Sequence, residues 1–366
     1  MRGERELGAV ALPFAAGVLS ASILNTLPYH IINAIAMPCS AVTAAFACIR
    51  WRKGYDSKMA WAAIVAMTFI TGIFCFCNAA VMQTTPMNKE GFIIGLVSEL
   101  CDEVQQIIDR IPFRAEETSA IVKALVTGER GMIPDDVKEA FRASGASHIL
   151  ALSGLHLGII YGIVLKTLAI AGNTRRAIIC RSIAAILICG TYTLATGAGE
   201  SITRAFLFIS LNEVARLTHR RHDLSHILLS ALIIQLTISP LSIRSVGFRL
   251  SYAAMAGIAF INPWIQSFWP QGASRANIPY RIWQTASVSI SCQLTTGPLA
   301  WFYFESFPAN FLLTNLIAIP LVGLLIPISI LTIALHGCGI CPEILTATTE
   351  GLVTLLTSTL KVIAEI

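Results

Sequence analysis

His148, Ser153 and His156 stand at the head of an apolar run, Ser147 onward, that is long enough to cross a bilayer. Ionisable side chains at that depth are costly and mark functional sites by default. Three roles fit them: nucleophilic chemistry, the lining of a polar path, or hydrogen bonds that hold helices together. Ser153 and His156 are three apart and so are neighbours on one helix face, as a serine nucleophile and its base need to be. One reading is therefore an intramembrane serine hydrolase using Ser153 with His156 or His148. Two absences oppose it. The turn G-x-S-x-G wants a glycine where Ala151 stands, and no nearby acid is present in the segment to orient the base. We assign no catalytic residue and expect a non-enzyme.

The same helix carries Gly154, Gly158 and Gly162 at four-residue intervals. That spacing puts them on one face and permits close helix approach. His156 falls about 200° around from Gly154, on the opposite side. Further along, Glu200, Arg204, Asn212 and Glu213 lie in or beside another apolar run, and Glu200 and Arg204 have the favourable i, i+4 order of an ion pair. Arg249 opens a later run. Two guanidiniums near one membrane face suit phosphate, which arginine binds in bidentate fashion.

Metal chemistry is poorly supported. His219, His222, Asp223 and His226 are clustered, but their spacing matches no zinc pattern. Cys338 and Cys341 have C-x-x-C spacing without a second pair. The expectation is no metal and no cofactor.

The elements that must position these groups follow from composition. The chain of 366 residues is 55% hydrophobic and only 13% charged, with a net charge of +5; its mean hydropathy is +0.70. Soluble domains carry about 25% charged residues, so this is an integral membrane protein crossing many times. Apolar runs start near Leu7, Tyr29, Met59, Ser147, Ala177, Glu200, His222, Phe248, Ile282, Asn310 and Glu343. They predict an all-α polytopic membrane protein of about eleven transmembrane helices. Lys and Arg concentrate in alternate short loops: Arg2 and Arg5; Arg50, Arg52, Lys53 and Lys58; Arg175, Arg176 and Arg181; Arg216, Arg220 and Arg221; Arg275 and Arg281. That alternation places the N-terminus in the cytoplasm and, with eleven spans, the C-terminus outside.

One polar interval, 83–146, breaks the pattern. It carries seven Lys/Arg and eleven acids, a net −4, which favours an external location. Ile93, Val97, Leu100, Val104, Ile107 and Ile111 step by three or four, predicting an amphipathic helix that Pro112 ends. A second helix is expected over Glu116–Thr127. A third is expected to start at Pro134 and to close at Gly145. The simplest expectation packs the three together on the outer membrane surface. The division is then 1–82 as N-terminal transmembrane helices, 83–146 as external amphipathic helices, and 147–366 as the main transmembrane domain. In that last part Pro320, Pro327 and Gly323 predict a kinked helix. With Gln293, Asn310 and Asn315 nearby, it suggests a polar path.

Four stretches, in order, resemble the membrane competence domain of the ComEC family. They are Ala124–Arg130 with Phe141–Gly158; Tyr192 through Thr196-Gly197 to Arg204-Ala205; Gly247–Tyr252; and Gln293–Leu299 followed by Asn310, Asn315 and Ile319-Pro320. The resemblance implies a channel that passes single-stranded DNA across the bacterial cytoplasmic membrane in natural transformation. His148, Ser153, His156, Arg204, Arg249 and Asn315 occupy the matching motif positions. Lys166 and Arg181 would be basic groups nearer the cytoplasm. The resemblance does not extend to the external β-barrel or the C-terminal metallo-β-lactamase-like domain of many relatives, and neither is expected in these residues. No G-x-x-x-x-G-K-[ST] phosphate loop is present either. The implied partners are single-stranded DNA, membrane lipid, a separate DNA receptor, a separate nuclease and a cytoplasmic motor, with a homo-oligomer left open. The alternative to a DNA route is a transporter or scaffold for another cargo.

Overall fold

The computed structural model describes residues 2–23, 29–52, 57–83, 92–218, 223–270, 278–305, 310–340 and 342–365. Among them there is no β-strand. The helices are α1 Arg2–Ile23, α2 Tyr29–Arg52, α3 Ser57–Gln83 and α4 Phe92–Arg110. Then come α5 Glu116–Val126, α6 Asp135–Ala143 and the single turn α7 Ser147–Leu150. They are followed by α8 Gly154–Leu168, α9 Arg175–Ala195, α10 Glu200–Leu217 and α11 Leu224–Ile238. The rest are α12 Val246–Ala256, α13 Asn262–Gln266, α14 Ile278–Phe304, α15 Phe311–Gly337 and α16 Glu343–Ala364.

Four stretches of these helices are long and apolar enough to cross a membrane: Glu6–Ile23, Trp61–Met82, Arg175–Ala195 and Phe311–Gly337. Shorter apolar helices cover Ile31–Ala45, Gly154–Leu168 and Leu224–Ile238. The chain is thus a helical membrane protein; among the described residues four helices meet that length and apolarity, and the expected count of eleven is not confirmed. Two of the expected runs are interrupted. The run from Ser147 breaks at Ala151–Ser153, where Ser153 takes an extended conformation and caps α8. The run from Phe248 passes through a π-helical turn, Gly257–Ile261, before α13. Pro263 follows immediately and has no N–H to continue the α-helical ladder.

The chain forms two compact units, Met1–Lys89 with Thr218–Ala259, and Glu90–Leu217 with Phe260–Ile366. The first unit is organised by a crossing of α1 and α3. A Cβ placed on Gly17 would lie 2.0 Å from the Phe69 carbonyl oxygen, and one on Gly72 would lie 2.2 Å from that of Phe14. Only hydrogen fits at either point, so the two backbones touch. Phe14, Val18, Phe76, Leu236 and Phe248 bury the apolar core beside it. Arg244 ties the elements at their margin. It donates to the Ser22 carbonyl at 3.3 Å and the Tyr29 hydroxyl at 2.8 Å, and its guanidinium stands 4.9 Å from the Phe76 ring centre.

The second unit holds the amphipathic helices. α4 covers the stretch that the periodicity of Ile93 to Ile111 requires, and it ends before Pro112. α5 matches its expected start at Glu116. α6 begins at Asp135, one residue later than expected, because Pro134 is extended (φ −58°, ψ 146°) and serves as its cap residue. These helices do more than pack on one another. Ile108, Ile121, Leu125, Val137 and Phe141 share one buried cluster with Val322, Leu325 and Ile326 of α15 and Val353, Leu356 and Leu360 of α16. Lys123 and Asp109 pair at 2.6 Å and join α5 to α4. The Ala115 N–H donates to Glu350 at 2.9 Å, and Lys361 reaches Asp136 at 2.8 Å. That ion pair holds the exposed Asp136 carboxyl below its ordinary range. Every described hydroxyl of α16 turns back on its own helix: Thr346, Thr348, Thr349, Thr354, Thr357, Ser358 and Thr359 each donate to a carbonyl three or four residues earlier.

Candidate functional site

The break before α8 brings Ser153 and His156 together. Ser153 is extended (φ −128°, ψ 175°), and its Oγ accepts from the Leu155 N–H at 3.3 Å. His156, in the third helical position, turns back so that Nδ1 accepts the Ser153 backbone N–H at 3.3 Å. Ser153 Oγ also lies 3.1 Å from Nδ1. This is a capping box with histidine in the place usually held by Glu or Gln. Because Nδ1 accepts a backbone N–H, the ring proton belongs on Nε2. His156 is fully buried, and Nε2 has no hydrogen-bond partner among the described residues. An unmet buried donor costs about 1–3 kcal/mol, so the site holds an unused hydrogen-bonding group. His148 is exposed, and its Nδ1 lies 3.1 Å from the Gly145 carbonyl oxygen.

The three glycines of α8 are not equivalent. A Cβ on Gly154 would meet the Ala205 Cβ of α10 at 3.4 Å, whereas nothing lies within 4 Å of one on Gly158 or Gly162. Close approach is therefore confined to the first turn.

Two of the four motif stretches meet at this turn, through Gly128 and Leu152 and through Gly154 and Ala205, and a third contributes α15, which packs on α8. Gly128 adopts φ +86°, and its open side faces Leu152, whose Cδ1 would lie 2.5 Å from a Cβ there. Tyr192 of α9 donates its hydroxyl to the Val126 carbonyl at 2.8 Å. Thr314 of α15 donates to the Ser144 carbonyl at 2.7 Å. Arg204 of α10, one residue before the Ala205 contact, is only 1% exposed. The remaining stretch lies in the other unit, where Arg249 Nε donates to the Ile243 carbonyl at 2.8 Å.

Asn315 of α15 contacts Ser289 Oγ of α14 at 3.4 Å, and Asn310 donates to the Ile363 carbonyl at 3.1 Å. Gln293 lines an open groove of about 610 Å³ between α14 and α15, with Trp301 and Phe311 beside it. Of the histidine cluster, His219 and His222 lie outside the described residues, and His226 stands 3.8 Å from Asp223. Cys341 also lies outside them. Among the described residues no three His, Cys, Asp or Glu side chains are grouped to hold a metal ion.

A second polar centre forms around Glu213, which the sequence singled out without its partners. Glu213 of α10 is fully buried. Its carboxylate accepts from the Tyr161 hydroxyl of α8 and pairs with Arg216 at 2.6 Å. Arg216 also donates to Ser182 Oγ of α9 at 2.8 Å. One charge cluster thus joins three helices. Glu213 and Arg216 are three apart in sequence, a visible signal, but Tyr161 and Ser182 carry none.

A helical membrane protein with buried polar side chains at a broken helix and between its helices is the class that these features define. The chain belongs to the competence protein family, whose sequence profile matches residues 125–366. It is 26% identical over 211 residues to ComE operon protein 3 of Bacillus subtilis (strain 168), covering 58% of this chain and 25% of that protein. It is 24% identical over 232 residues to the uncharacterized protein YcaI of Escherichia coli (strain K12), covering 60% of this chain and 30% of that protein. The chain therefore spans under a third of the length of these relatives. No solved structure matches it.

Proposed function

We propose that the chain forms part of a route by which single-stranded DNA crosses the bacterial cytoplasmic membrane during competence. The observation that carries this reading is the meeting of two separated motif stretches at the first turn of α8, in a chain whose residues 125–366 match the competence family. The route would run past His148, Ser153, His156 and Arg204, with Arg249 and Asn315 as further motif groups. Segment 83–146 would face outward, the N-terminus the cytoplasm, and the C-terminus the exterior. A separate receptor, nuclease and motor would act with it. Affinity for the strand would come from phosphate contacts and would fall with salt.

Uptake of labelled DNA in a deletion strain tests the reading. Complementation with the wild-type chain should restore it. Arg204→Ala and Arg249→Ala should each depress it at unchanged protein level, measured by immunoblot. Normal uptake by both variants would remove the arginines from the route, and normal uptake by the deletion strain would end the DNA reading in favour of another cargo.

The 3.1 Å contact between Ser153 Oγ and His156 Nδ1 supports a second reading, a serine hydrolase. The geometry gives the pair another use, since Nδ1 already accepts the backbone N–H of Ser153. We expect a fluorophosphonate probe to leave the chain unlabelled and Ser153→Ala to act through the cap alone, costing about 1 kcal/mol. Labelling that disappears in Ser153→Ala would establish the hydrolase.

A further inference from the structure

We propose that the groove between α4 and α9 holds an acyl chain of a membrane phospholipid. The groove has a volume of about 420 Å³, the size of a ligand pocket, and lies between Leu100, Cys101 and Val104 of α4 and Leu187, Ile188 and Thr191 of α9. α9 is one of the helices long and apolar enough to cross a membrane. The groove follows the end of that helix remote from Arg175 and Arg176. Leu100, Leu187 and Ile188 of its lining are exposed, so it is continuous with the surface that α9 turns to hydrocarbon. α4 already packs along this part of α9, which leaves a slot and not a whole helix face.

What fills the groove follows from its polar atoms. Three of the hydroxyls that line it are spent on backbone carbonyls: Thr127 on Lys123 at 2.9 Å, Tyr192 on Val126 at 2.8 Å and Thr196 on Tyr192 at 2.9 Å. Cys101 Sγ accepts from the Gln105 amide at 3.9 Å. The remaining hydroxyl, on Thr191, is exposed. A water held here needs several polar partners and finds too few. A polar ligand would give up its hydrogen bonds to solvent without replacement. Left empty, the walls forfeit dispersion contacts. A hydrocarbon tail restores those contacts and asks for no hydrogen bond. Seated there, it packs beside the Tyr192–Val126 bond and becomes part of what holds the amphipathic α4 on α9. The inference is independent of the DNA reading and stands for any cargo.

The test uses the full chain in phosphatidylethanolamine–phosphatidylglycerol nanodiscs that carry a trace of phosphatidylcholine with a diazirine in its acyl chain. After irradiation, the crosslinked residues are mapped by mass spectrometry. Ile183, exposed on α9 and outside the groove, reports ordinary lipid contact. In the wild type, label should appear on Leu100–Val104 as well as on Ile183. T191W and A195W each set an indole in the groove. They should cut the label on α4 about tenfold, in line with the usual cost of overpacking, and leave that on Ile183 unchanged. Should A195W fail to fold, T191W, at an exposed position, carries the comparison, with helical circular dichroism as the check. Equal labelling of α4 in the wild type and in folded T191W overturns the inference. So does a wild type unlabelled on α4; a dimer that T191W dissociates, seen by mass photometry, would then make a second copy the occupant.

Discussion

Gly17→Ala and Gly72→Ala should each remove most of the folded protein from the membrane. A methyl group at either position would sit on a backbone carbonyl oxygen, 2.0 Å from that of Phe69 or 2.2 Å from that of Phe14. A flexible side chain can rotate away from such a clash, but a carbonyl inside a helix cannot. The helices must separate, and the cluster of Phe14, Val18 and Phe76 loosens with them. Overpacking usually costs about 1–3 kcal/mol and more where the backbone must move. The two changes relieve one another in part, because a pair already forced apart has room for a second methyl. The double variant should therefore cost less than the sum of the singles. Thermal unfolding of the detergent-solubilised protein measures this. Wild-type melting of Gly17→Ala would show that α1 and α3 do not cross at this point.

Glu213→Leu has the second large expected effect. It removes the acceptor of the Tyr161 hydroxyl and strands the Arg216 guanidinium, which also donates to Ser182. Removing one member of a buried pair costs about 3–5 kcal/mol because the survivor keeps its desolvation penalty. Arg216 retains 32% of its side-chain exposure, so water screens it and the lower end of that range applies. The diagnostic result is recovery. Glu213→Leu with Arg216→Leu leaves no stranded charge and should regain much of the loss, while Glu213→Gln should fall between. A double variant no more stable than Glu213→Leu would mean that the carboxylate matters for packing and not for charge.

These two sites show where the sequence was readable and where it was not. α4 was legible because Ile93 through Ile111 repeat at helical spacing, and Pro112 marks its end. The starts of α5 and α6 were legible to within one residue from their acidic first turns. The break before α8 was harder to see. Ser153 and His156 have the spacing of a capping box, but the usual partner is a carboxylate or amide, and an imidazole in that role reads as a site residue. Gly17 and Gly72 stand alone in apolar runs without a repeating glycine pattern, so their contact exists only in the tertiary structure. The Tyr161–Glu213 bond spans 52 residues, beyond anything local spacing reports. Burial of the amphipathic helices against α15 and α16 was hidden for a related reason. A periodic apolar face shows that something covers it, and both lipid and protein satisfy that demand.

The threonines of α16 bear on how such a helix meets hydrocarbon. A hydroxyl is expensive in an apolar medium only while its donor is unspent, and each of these is spent on the helix's own backbone. What faces outward from each threonine is then largely a methyl group. α16 is polar by inventory and oily by touch along its threonines, so what holds it in register is the few bonds made by Glu350, Lys361 and the Ile363 carbonyl.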